Sequence, residues 1–169
     1  MAPTTYTPPI NTYVPLESIV LTNAASSVTF FNIAQSDDSG TYKDLVLVCN
    51  GTTSAGQGIY LYLNNDTTAG NYSRVVMYGD GTSYASGAAS DAKSLDFYTS
   101  PTVTTTNIMD YSATDKHTTI LNRVNAASSI VEAVAARWAN TAAVTSVKVQ
   151  TTTGTFSIGS TFSLYALHG

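Results

Sequence analysis

Ile59-Tyr60-Leu61-Tyr62-Leu63 alternates with a period of two, so Ile59, Leu61 and Leu63 share one side of an extended chain and Tyr60 and Tyr62 the other. The run stops at Asn64-Asn65-Asp66, residues whose short polar side chains suit a turn. The same alternation returns in Thr145-Ser146-Val147-Lys148-Val149, with Val147 and Val149 expected inward and Lys148 outward. Strand-like runs of this kind recur at 18–22, 27–33, 43–50, 58–64, 72–79, 94–99, 108–112, 118–124, 130–139, 144–150 and 161–167, with Gly79-Asp80-Gly81 and Gly154 among the turn signals between them. Many short strands at such spacing predict an all-β, single-domain antiparallel β-sandwich, with a jelly roll as the expected connectivity.

One stretch admits a second reading. Residues 129–138 begin with Ser129, a possible helix N-cap, and have an Ala-rich interior, so they could form a short helix. Strand is preferred because the neighbouring segments are strand-like. No internal repeat of 20–50 residues stands out.

Composition agrees with a β protein. Of the 169 residues, 43% are hydrophobic and only 11% are charged, against roughly 25% in an average soluble protein. Disorder needs low hydrophobicity and high net charge, and this chain has neither. Thr, Ser, Asn and Tyr replace the missing charge, and Thr and Tyr suit a half-buried pleated surface. With seven Lys and Arg and a net charge of −4, the chain cannot line a phosphate backbone or an anionic membrane with cations, so neither nucleic acid nor membrane is an expected partner. No run reaches the roughly 18 apolar residues of a bilayer span, and Met1-Ala2-Pro3-Thr4-Thr5 lacks the basic and apolar regions of a signal peptide. A soluble protein made in a cytoplasm is expected. Cys49, the single cysteine, lies in the apolar run Leu45-Val46-Leu47-Val48-Cys49 and reads as a small buried hydrophobe.

Four of the five prolines, Pro3, Pro8, Pro9 and Pro15, fall within residues 1–16. Each fixes its own φ and removes a donor, so 1–16 is expected to be an extended arm preceding a domain at 17–169. Tyr6, Ile10, Tyr13 and Val14 are the residues by which the arm would dock on a neighbour; a frayed terminal tail is the alternative.

Chemistry is scarce. A trio of Asp110, Asp115 and His117 can be written down, but it has no nucleophile-elbow context. Glu17 and Glu132 are far apart in sequence, and nothing favours the paired carboxylates of a sugar hydrolase. No zinc spacing or phosphate-binding Gly loop is found; Asn64, Asn65 and Asp66, or Asp80, could give oxygen ligands to Ca²⁺ at a loop, but neither stretch has the EF-hand spacing and turn residue is the better reading. No catalytic residue, metal or cofactor is therefore expected. The live binding feature is aromatic: Tyr60 and Tyr62 share one strand face, and Tyr72 and Tyr78 share another with Arg74 between them. If register places them together they form a contact patch for a neighbouring subunit or a receptor sugar; otherwise they are cross-strand pairs covering a sheet.

Several stretches resemble a family of small phage structural modules, found as standalone virion proteins and within tail fibres. They are Met1 to Tyr6, Tyr42-Lys43-Asp44-Leu45-Val46-Leu47, Leu63-Asn64-Asn65-Asp66 on to Asn71-Tyr72-Ser73, and Met77-Tyr78-Gly79-Asp80-Gly81. Ile108-Met109-Asp110-Tyr111, Trp138, Val144-Thr145-Ser146-Val147 and the closing Gly159-Ser160-Thr161-Phe162-Ser163-Leu164-Tyr165-Ala166-Leu167 complete the match; Ala166-Leu167-His168-Gly169 departs from the usual Gly-Ile ending. The resemblance implies a β-sandwich at the virion surface with no cofactor: a capsid decoration (cement) subunit, or alternatively a tail-fibre or appendage module that binds host-surface glycan. A glycan-degrading enzyme is a distant third. A homo-oligomer, by family analogy a trimer, is expected, in contact with the major capsid protein or an appendage protein.

Overall fold

A computed structural model describes residues 12–56, 58–127 and 130–169. Tyr6 and Ile10 lie outside the described residues. Twelve strands occur among those described: β1 (Tyr13–Val20), β2 (Ser27–Phe30), β3 (Ser36–Asp37), β4 (Gly40–Gly51), β5 (Ile59–Leu63), β6 (Tyr72–Gly79), β7 (Tyr84–Ala89), β8 (Thr102–Met109), β9 (Thr118–Ala126), β10 (Ile130–Trp138), β11 (Val147–Thr151) and β12 (Thr161–His168). A single 3-10 turn, Ala69–Asn71, precedes β6. All pairings are antiparallel. One sheet runs β1-β12-β4-β8-β9-β10-β6-β7, with β3 added beside β4, and the second is β2-β11-β5.

The all-β sandwich-like reading holds, because the two sheets close on one core. Val28 and Phe30, Ile59, Leu61 and Leu63, and Val147 and Val149 from the small sheet meet Leu45, Leu47, Cys49, Ile108, Ile120, Val134, Trp138, Phe162 and Leu164 from the large one. Phe97, Phe156 and Phe162 pack edge-on and stacked, with ring centres 5.0–6.2 Å apart. Cys49 is fully buried beside its cross-strand partner Phe162, and burial pushes its thiol pKa far up. The strands divide nine to three, a split that does not spell the two Greek keys of a jelly roll.

Residues 130–138 form a strand. β10 reads Ile130 to Trp138 without a break, paired to β9 on one side and β6 on the other. Two full ladders of backbone hydrogen bonds and the burial of Val134, Ala136 and Trp138 outweigh the modest helix preference of three alanines.

The arm boundary moves. Tyr13, Val14, Pro15 and Leu16, assigned to the arm by their prolines, belong to β1 and pair with β12: Tyr13 opposite Leu167, Val14 opposite Ala166 and Pro15 opposite Tyr165. β1 has a partner on one side only, so a residue without an N–H is tolerated there, and the register slips between Pro15 and Glu17. Val14 and Leu16 pack against the core, and Tyr13 sets its ring edge-on to Tyr165 at 6.4 Å.

Candidate functional site

The aromatic residues singled out by the sequence divide. Tyr60 and Tyr62 stack at 5.2 Å, and Tyr62 meets Tyr72 edge-on at 6.3 Å, so three of them do come together. They do not make an outer platform. The segment after β7 runs beside β5, where Ile59 N donates to Leu95 O and Leu61 N to Ala92 O, and it brings Lys93 to 5.8 Å from the Tyr60 ring centre. Tyr62 is buried, and Tyr72 is only 1% exposed. The Tyr72 hydroxyl accepts from Leu63 N at 3.1 Å and donates to Asp66 O at 3.0 Å. Arg74, between the rings in sequence, is held by Asp91 through a 2.6 Å bond from its Nε. Only Tyr78 of this set is well exposed. The cluster is a staple between the two sheets.

Asp66 anchors the same corner. Asn64 and Asn65 take left-handed φ values of 52° and 56°, which turn the chain so that the Asp66 carboxylate accepts from Trp138 Nε1 and Asn71 Nδ2, both at 2.8 Å, and from Thr68 N at 3.0 Å. Although partial burial opposes it, these donors hold the carboxyl pKa down to about 2. The Asp80 turn is built likewise: its carboxylate accepts from Thr82 N and Ser83 N, with Gly81 at φ 89°. Both stretches therefore act as turns. Among the described residues no group of three or more His, Cys, Asp and Glu stands close enough to hold a metal ion.

A carboxyl pair was not legible from the spacing of the two glutamates. Glu132 lies on the inward-facing side of β10, only 8% exposed, and faces Asp96, which accepts a hydrogen bond from Gly58 N. Burial first, and then the hydrogen bond and charge of Asp96, raise the Glu132 pKa to about 8; Arg74 and Tyr98 pull the other way.

An extended surface feature lies on the outward side of the large sheet. β10 presents Val131, Ala133, Ala135 and Arg137 there. Ala133 is flanked by Met77 of β6 and Arg123 of β9, and Ala135 by Val75 and Leu121. Two methyl side chains between rows of longer ones leave a trough. It has a volume of about 780 Å³, is bounded beyond β6 by Ser86 and Ala88 of β7, and is overwhelmingly apolar. Hollows of about 580 and 420 Å³ continue it: one past Val131 and Tyr84, the other past Ser73, Thr119, His117 and Arg137. Met77 is 64% exposed and Tyr84 92%, with Val75, Leu121 and Val131 also open to solvent. The alanines that allowed a helix reading of 130–138 are the floor of this trough. β10 carries apolar residues on both sides, so only the pairing with β6 and β9 shows which side stays uncovered.

No protein-family model matches this chain, and no curated protein matches it in sequence.

Proposed function

We propose that this protein is a non-enzymatic structural subunit of a phage virion, a capsid-surface decoration (cement) protein that works as a homo-oligomer, a trimer by family analogy, at the virion surface. The observation that carries the reading is the open apolar side of β9, β10, β6 and β7. Contiguous exposed apolar area of this kind marks an interaction surface, and with few cations to meet a membrane the cover favoured is protein. Support comes also from the sequence resemblance to phage structural modules and from a low surface charge, which weakens repulsion between closely packed copies. The major capsid protein is the expected neighbour, and synthesis is expected in the host cytoplasm.

An appendage module that grips host glycan would need exposed rings on one platform. The two well-exposed rings of the β6–β7 hairpin, Tyr78 and Tyr84, project from opposite faces by register, because Tyr84 sits opposite Gly79 and Tyr78 opposite Ala85. The decoration reading is favoured for that reason. Counting copies per particle tests it: hundreds are expected, whereas a dozen or fewer would move the protein to the tail and none would remove it from the virion.

A further inference from the structure

We propose that the trough along β10 receives residues 1–11 of a neighbouring copy of this chain. The inference rests on the structural-subunit reading and names the contact by which copies would join.

The first support is size. From Val131 to Arg137 the trough follows seven residues of strand, roughly 20 Å at the strand rise. A polyproline-type ligand at about 3.1 Å per residue would place six or seven residues in that length, which is the span from Thr5 to Asn11.

The second support is chemistry. Residues 1–11 hold no Asp, Glu, Lys or Arg, and they carry Tyr6, Pro8, Pro9 and Ile10. The trough offers mainly methyl and thioether groups, since the backbone beneath it is already spent on the β9–β10–β6–β7 ladders. A ligand entering it must leave water without finding new backbone partners. Pro8 and Pro9 bring no N–H to desolvate, so this segment loses less than an ordinary strand would.

The third support is where the segment departs. Tyr13 opens β1 opposite Leu167, at the edge of the large sheet, five strand positions from β10. That end of the sheet is also where Thr119 and Arg137 stand at the mouth of the trough, as the ladder from β12 through β4, β8 and β9 to β10 shows. The chain bends at residue 12, immediately before β1, and each proline of the Pro8-Pro9 pair biases the residue before it toward the extended geometry that a groove-bound segment needs. Donor segment and acceptor trough are different surfaces, so the contact is compatible with a head-to-tail ring such as a trimer.

The test uses full-length chains. Tyr6→Ala with Ile10→Ala removes the donor, and Ala135→Arg, at an exposed position of β10, fills the acceptor; circular dichroism and a melting curve check that each variant keeps the fold. By sedimentation, each variant alone should self-associate at least about tenfold more weakly than the parent. Mixed, they should form a one-to-one complex, because one keeps the trough and the other keeps the segment. A parent chain that is monomeric, or variants that associate as the parent does, would overturn the proposal. Variants that weaken but never complement each other would also overturn it, by placing the segment on its own copy or something else in the trough. Docking that is intact in a chain absent from purified particles would uphold the contact while removing the virion reading; lost docking with unchanged copy number would do the reverse.

Discussion

The two sides of β10 are made from nearly the same residues and meet opposite fates. Inward stand Glu132, Val134, Ala136 and Trp138, all under 9% exposed; outward stand Val131, Ala133, Ala135 and Arg137, with Val131 and Ala135 open to water. The difference lies in what faces each side. The inner residues are covered by the small sheet and by the Asp66 turn, which gives the Trp138 indole its acceptor. The outer residues have only each other and the flanking rows of β6 and β9. An apolar side of a strand is thus a demand for cover, and this fold meets the demand on one side alone.

The comparison can be broken in three places. The largest effect is expected inside. Trp138→Ala opens a cavity and removes one of the three donors to the Asp66 carboxylate, and should cost about 3–5 kcal/mol in urea unfolding. A loss under 1 kcal/mol would mean that the inner side is not the sealed one.

Glu132→Gln should act through pH. In the fold its carboxyl pKa stands near 8, above the ordinary value, so between pH 5 and 8 the folded chain holds a proton that the unfolded chain has released. Stability from this group is therefore present at acid pH and lost as pH rises toward 8. The glutamine variant, which keeps a neutral hydrogen-bonding group, should gain on the parent steadily across that window and level off above it. Parallel stability-versus-pH curves would show that Glu132 is not buried against Asp96.

The smallest effect belongs outside. Met77→Thr should change the stability of the isolated chain by no more than about 0.5 kcal/mol, because the side chain is largely in water already. A loss of 2 kcal/mol or more would show that the chain itself covers its outer side.

Much of the inner side was legible in sequence, because local alternation records it. Ile59, Leu61 and Leu63 turn inward as their spacing demands, as do Val147 and Val149, and Cys49 and Trp138 are core. The pattern failed where residue type and neighbours disagreed. Tyr84–Ala89 is a strand without a single β-branched residue, held by pairing with β6, and no strand was expected there. Residues 94–99 read as a strand, yet they make only a bridge from Leu95 to Ile59 while Ser94, Leu95 and Phe97 fill the core. Pro15 suggested an arm because sequence does not say that β1 lies at an edge. The aromatic patch failed for a related reason: Tyr72 shows its place only through Leu63 N and Asp66 O, supplied by a turn six to nine residues away. The trough and the Glu132–Asp96 pair were illegible because both depend on which strands end up adjacent, and the sheet order departs widely from the chain order.

Cys49 turns the sealed side into something that can be timed. A thiol with no exposed surface, whose ionisation burial suppresses, is unreactive until the two sheets separate around it. The rate at which an alkylating dye marks this one position therefore reads out how often the sandwich opens, without any engineered probe. Copies can also be stored in air with no danger of crosslinking to one another while they stay closed.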